Sequence, residues 1–230
     1  MDQRAVRGEF PTVGGAVNFD HASVGPISRR AADAMRQVTE VYCTEGFQNS
    51  WLDDIEAVRS SVARLVGSSV GNIAFTQNTT TGLSIAANGI GWRPGDNVVV
   101  PEHEFPSNYY PWMNLERRGV QLRTVSAPTG HSTIDDLAAA VDERTRVVAL
   151  SAVQFSNGYR YDLDVVGQLC RERGVLFVVD GTQAVGALEI DVERSGIDLL
   201  AVSAHKWMLA PAGIGFVHVS GRGLGQIRPD

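Results

Sequence analysis

DLLAVSAHK at Asp198–Lys206, read together with VVDGTQAVG at Val178–Gly186, decides how the rest of this chain is read. Each segment carries a short apolar, β-type run that stops at polar residues. The first run ends at Asp180; the second ends at Ser203, with His205 and Lys206 just beyond. One carboxylate and one lysine therefore stand at the exits of two strand-like segments.

Working outward, similar runs recur at Ile73–Thr76, Asn97–Pro101, Gln121–Val125, Val147–Ser151, Val175–Asp180, Leu199–Ser203 and Ile214–Val219. Helical patterns fall between most of them, at Thr80–Asn88, Pro106–Arg118, Ile134–Val141 and Leu163–Arg173. Strands alternating with helices predict an α/β fold with a mostly parallel seven-stranded sheet flanked by helices. The last run follows its predecessor without an intervening helix and is expected to be antiparallel. Upstream, Ser28 is a candidate N-cap for a helix over Arg29–Tyr42, and a second helix is expected over Trp51–Val66. Residues 1–27 read as a loosely attached arm and residues 28–230 as one domain. GRGLGQIRPD closes the chain with no further packed element expected after the last strand.

In a sheet of this kind, ligands bind at the C-terminal ends of the strands. A lysine there can form a Schiff base with an aldehyde. An aspartate can keep a pyridine nitrogen protonated, which turns the ring into an electron sink. Lys206 and Asp180 together thus point to pyridoxal 5′-phosphate (PLP). Gln183, one turn after Asp180, is placed to bond a phenolic oxygen. Thr79 and Thr80 open a helix after a strand, where hydroxyls and free N–H groups attract a phosphate. Ser203 and His205 would close that phosphate site from the far side. Phe105, in EFPSNYYPW, is placed to stack on a planar ring. Singly, each has a plainer reading: a surface lysine, an N-cap aspartate, a solvated glutamine, a capping threonine, a structural histidine, a core phenylalanine. Gln154 and Asn157 are read first as turn residues.

The composition narrows the classes. The chain has 230 residues, a hydrophobic fraction of 43%, a charged fraction of 20% and a net charge of −6 with no basic block. No nucleic-acid footprint is expected. Cys43 and Cys170 are too few for a disulfide framework and read as packing residues in helices. No apolar run approaches membrane-spanning length and no signal peptide is visible, so a cytoplasmic location without membrane contact is the expectation. His103-Glu104 lacks the second histidine of a zinc-protease motif, and no metal site is expected. A nucleotide-binding protein would need a glycine-rich phosphate loop, for which NTTTG at Asn78–Gly82 is a poor substitute.

The order NTT, EFPSN, DGTQAVG, then SAHK followed by PAGIGF resembles the class V aminotransferases, a family of PLP enzymes that includes cysteine desulfurases, selenocysteine lyases and isopenicillin-N-epimerase-like proteins. The likeness runs from FDHASVGP at Phe19–Pro26 to the last strand. It implies the large domain of a fold-type-I PLP-dependent transferase, with the C-terminal small domain missing. It implies that Lys206 joins PLP covalently and that Asp180 meets the pyridine nitrogen. Gln183 would meet the phenolic oxygen; Thr79, Thr80, Ser203 and His205 the phosphate. Phe105 stands where many desulfurases have a histidine, which keeps a stacking ring and removes an acid/base group. His21 would lie near the substrate. The implied activity is a PLP-dependent reaction of an amino-acid substrate, a small molecule, with cysteine desulfurase-like lyase or transferase chemistry. A true aminotransferase, an epimerase or a catalytically incomplete PLP-binding homologue remain alternatives. The family also implies a homodimer.

Overall fold

The structure, a computed structural model, describes residues 2–15 and 17–228. One sheet of seven strands organises it: β1 (Ile73–Thr76), β2 (Asn97–Pro101), β3 (Gln121–Val125), β4 (Thr145–Ser151), β5 (Leu176–Asp180), β6 (Leu199–Ser203) and β7 (Gly215–Val219). The strand order is β1-β7-β6-β5-β4-β2-β3. β7 runs antiparallel to both of its neighbours, and every other pairing is parallel. The expected reversal of the last strand is therefore observed, and it follows from a connection too short to carry a crossover helix.

Helices cover both faces, which is why β2, β5 and β6 are buried along their whole length. Alternation sorts the side chains: Val99 joins one apolar layer, while Val98 and Val100 join the other. The main helices are α1 (Gln3–Gly8), α2 (Arg29–Glu45), α3 (Ser50–Leu65), α4 (Thr79–Gly89), α5 (Tyr110–Met113), α6 (Ile134–Ala140), α7 (Leu163–Arg173) and α8 (Gly221–Leu224). Val62 and Ala63 of α3, Leu137 of α6 and Val166 of α7 pack on the first layer. Leu83 and Ala86 of α4 and Trp112 of α5 pack on the second. Local chemistry starts these helices. Ser28 accepts from the Ala31 N–H, Asn78 from the Thr81 N–H, and Thr133 forms a capping box with Asp136.

Three expectations change. Pro106–Arg118 is not one helix but a 3-10 turn over Pro106–Asn108, the four-residue α5, and a second 3-10 turn over Asn114–Arg118. Pro111 inside that run has no N–H to give, so a continuous ladder cannot form. The stretch after β7 does pack: α8 forms, and Ile227 is buried, bridges Ile90 and joins the layer beside α4. Finally, α2 is helical as expected but buries none of its residues, leaving Met35, Val38 and Tyr42 exposed.

Candidate active site

The exits of β1, β2, β4, β5 and β6 meet at one edge of the sheet, around a cavity of about 250 Å³ lined by Thr79, Phe105, Asp180, Gln183, Ser203 and Lys206 among others. A larger groove of about 370 Å³ lies beside Asp164 and Arg194, but it contains neither a lysine nor a cofactor-type cradle. Chemistry, not size, picks out the first.

Asp180 is 5% exposed. Thr182 is the only residue that hydrogen-bonds its carboxylate among the described residues, the Thr182 N–H donating at 2.9 Å. A carboxylate accepts up to about four hydrogen bonds, so Asp180 keeps capacity for a cation or an N–H donor. Burial pushes its carboxyl upward, while the Thr182 bonds and the Lys206 charge pull it back. Lys206 is half-buried. Burial moves its ammonium downward, against the opposing pull of Asp180 and Asp20. A lysine shifted this way carries more free amine at neutral pH than one in water. Lys206 is also the sole lysine of the chain; the other 19 basic residues are arginines.

The threonine and serine hydroxyls are largely engaged with one another. The Thr79 N–H donates to Ser203 Oγ at 2.8 Å, and the Thr79 hydroxyl lies 2.6 Å from that of Thr182 and 2.8 Å from that of Ser203. Thr182 Oγ1 accepts from the Ser203 N–H at 3.2 Å. This network fastens α4 to the ends of β5 and β6. Thr80 is exposed, and its hydroxyl donates to Ser107 Oγ. His205 lines the cavity, its pKa lowered by burial and by Lys206.

Gln183 lines the cavity with both polar ends committed. Its Nε2 donates to the Ala22 carbonyl at 2.8 Å and its Oε1 accepts from Trp207 Nε1 at 2.9 Å. The second N–H of Nε2 is left for a cofactor oxygen, since a side-chain amide has two donors. His21 stacks on Trp207, centroids 5.1 Å apart. It is not among the residues lining the cavity. Gly25 donates its N–H to the His205 carbonyl, and a Cβ there would collide with the Lys206 carbonyl. Only glycine lets residues 20–25 cross this closely. Phe105 is 39% exposed at the cavity mouth rather than in the core, and it meets Phe155 edge-to-face at 5.0 Å.

Sequence reading missed Glu104, Thr182, Phe155 and Trp207, and treated Gln154 as a turn residue. Gln154 does open that turn, its carbonyl accepting from the Gly158 N–H at 2.9 Å, and its side chain is also buried and donates to Glu104. No local spacing announces these residues, because most of their partners lie on distant segments of the chain.

This architecture, with its site at the strand ends, is that of the large domain of fold-type-I PLP enzymes. The chain belongs to the aminotransferase class V family, whose profile matches residues 19–230. A probable cysteine desulfurase from Methanothermobacter thermautotrophicus is 33% identical over 100% of this chain and 59% of its own length. Cysteine desulfurase IscS from Pectobacterium carotovorum is 31% identical over 88% of this chain and 53% of its own. Among solved structures, the complex of the cystine C–S lyase C-DES with its product cysteine persulfide superposes with a TM-score of 0.88 at 26% identity. That match covers 96% of this chain and 61% of C-DES. A C-DES variant with glycine covalently linked to the PLP cofactor gives a TM-score of 0.89 at 25% identity, over 97% of this chain and 62% of its own. The chain thus spans between half and two thirds of these relatives.

Proposed function

We propose that this chain is the cofactor-holding part of a PLP-dependent enzyme of amino-acid metabolism, with cysteine desulfurase-like lyase or transferase chemistry. The observation that carries this is the placement of its one lysine, half-dry, in the same cavity as a buried carboxylate with unused acceptor capacity. The residues fit the group: a free-amine lysine for the aldehyde, a carboxylate for the pyridine nitrogen, an aromatic face, and polar groups at the start of α4. PLP, when bound, would supply the electron sink.

Lys206 would hold the cofactor and then, displaced by the substrate amine, move a proton at the substrate Cα. Asp180 would keep the pyridine nitrogen protonated through a charge-assisted hydrogen bond in dry surroundings. Phe105 would lie against the ring. Thr79, Thr80, Ser203 and His205 would position the phosphate, and Gln183 would give its second Nε2 N–H to the phenolic oxygen. Phe105 offers no proton, which favours as a second reading a family reaction needing no acid at that point, such as transamination or epimerisation. A PLP-binding homologue without turnover is the reading to which a failed activity screen on a bound cofactor would lead. A homodimer in the cytoplasm is part of the proposal. The exposed apolar residues of α2, with Leu52, Ile55 and Val58 of α3, support a protein partner.

The test is an absorbance spectrum with added PLP, before and after borohydride, with peptide mapping. A visible band that reduction converts to an adduct on Lys206 is expected, and it should vanish in Lys206→Ala. No band and no adduct would overturn the reading.

A further inference from the structure

Glu104 stands behind the cavity and has no part in the chemistry above. It follows β2, is 7% exposed, and accepts four hydrogen bonds. The Ser151 N–H and Gln154 Nε2 reach its Oε1 at 2.7 and 2.6 Å. The Ser151 hydroxyl and Asn108 Nδ2 reach its Oε2 at 2.5 and 2.8 Å. Ser151 is the register partner of Asp180 across β4 and β5. Glu104 therefore ties the exit of β2 and the turn after it to the strand end beside Asp180.

Four donors saturate a carboxylate, so the observed arrangement suits the ionised form. Burial works against that charge, and so does Asp180; the carboxyl is pushed up to about 7. The titratable groups that bear on it are Asp180 from β5 and Tyr161 from the segment after β4, while Lys206 acts on Asp180. The turn at Pro106–Asn108 contributes the neutral Asn108.

Gln154 completes the device. Its Nε2 donates to Glu104, while its Oε1 is buried without a partner. Turned over, Gln154 would present Oε1 to Glu104, a match only when Glu104 carries a proton. Both arrangements keep one Gln154–Glu104 hydrogen bond and strand one amide end. They differ by a proton, not by a count of hydrogen bonds.

We propose that Glu104 is a positioning residue whose proton, taken up as Gln154 turns over, sets how readily Asp180 carries its charge. Two buried carboxyls in mutual reach disfavour double ionisation. A protonated Glu104 therefore frees Asp180 to be the charged partner of a cationic ring. By reciprocity, each carboxyl shifts the other equally. The functional consequence rests on the PLP reading; the coupling itself does not.

The first experiment is a ¹³C-carboxyl NMR titration of cofactor-free wild type and Asp180→Asn. Glu104 should titrate near neutrality in wild type and clearly lower in Asp180→Asn, and the Gln154 side-chain amide should shift with the same midpoint. A Glu104 midpoint that is the same in both proteins, or a Gln154 amide that ignores it, would overturn the proposal. The second experiment is PLP affinity against pH for wild type and Glu104→Gln, which mimics the protonated carboxyl with Gln154 turned over. The variant and wild type should bind alike below neutrality and diverge above it, where wild-type Glu104 gains its charge and the variant cannot. Equal affinities at every pH would remove the functional role. A wild type that binds no PLP would instead sink the cofactor reading, with the titration still deciding the coupling.

Discussion

The amine of Lys206 lies over the ring of Phe105, 5.3 Å from its centroid. An ammonium on an aromatic face is attracted by the ring quadrupole, so part of the charge that water would otherwise solvate is met by carbon. Phe105 is itself steadied by Phe155. The amine is thus presented between an aromatic wall and the field of Asp180, which moves its pKa in the opposite sense to burial.

Phe105→Ala should weaken PLP binding about five- to tenfold, the loss of roughly one kcal/mol of ring contact. Phe105→His should lose less, because it keeps a stacking face. Fluorescence titration with PLP measures both, and equal binding by all three proteins would exclude Phe105 from the cofactor.

Asp180→Asn should separate stability from chemistry. An acid whose folded pKa is raised is destabilising at pH values above its unfolded value, and the cost grows as pH rises toward the folded value. Removing the charge should raise the melting temperature of the cofactor-free protein by about 2–4 °C if it relieves about 1 kcal/mol. The same change should slow reaction at Cα by about a hundredfold or more in a protein that turns over. Calorimetry and single-turnover kinetics read the two signs.

Thr79→Val removes a buried hydroxyl that bonds both Thr182 and Ser203. The loss should be about 1–3 kcal/mol, from stranding their polar groups. Thr80→Val, at an exposed position whose hydroxyl bonds only Ser107, should stay within about 0.5 kcal/mol of wild type. Urea denaturation of both variants checks the contrast.

His218, on β7, is buried with its Nδ1 2.7 Å from Ser68 Oγ, and burial pushes its pKa down to about 4. Its folded value lies below the unfolded value of 6.5. Stability from the neutral ring is fully present above pH 6.5 and is lost as pH falls toward 4. The loss should amount to roughly 2–3 kcal/mol. His218→Gln should flatten that part of the acid limb in a stability-versus-pH series.

Much of the fold was legible because its signals are local. β1, β2, β3 and β6 occur with the bounds that their β-type runs predict; for β2 and β6 the signal is strong because a strand buried on both faces is apolar nearly throughout. The positions of Asp180 and Lys206 were legible for a similar reason: Asp180 ends β5 and Lys206 follows three residues after the end of β6, at the same edge of the sheet. What escaped was non-local. Gln183 looks free in sequence, yet its amide is claimed by Ala22 and Trp207 from two other segments. Glu104 looks like half of a failed zinc motif, yet Ser151 and Gln154 arrive from β4 and its following loop to enclose it. Pro111 stands in plain view within Pro106–Arg118, and its missing donor is enough to break the expected helix into a four-residue α5 between two 3-10 turns.

The solitary lysine has a practical consequence. Proteins usually scatter ammonium groups over their surface; here arginine carries that role, and the only ε-amine in residues 1–230 lies in the cavity. Cells fed isotopically labelled lysine would therefore produce a protein with one resonance, already assigned. Its position would report directly on what occupies the site, for any ligand and at any pH.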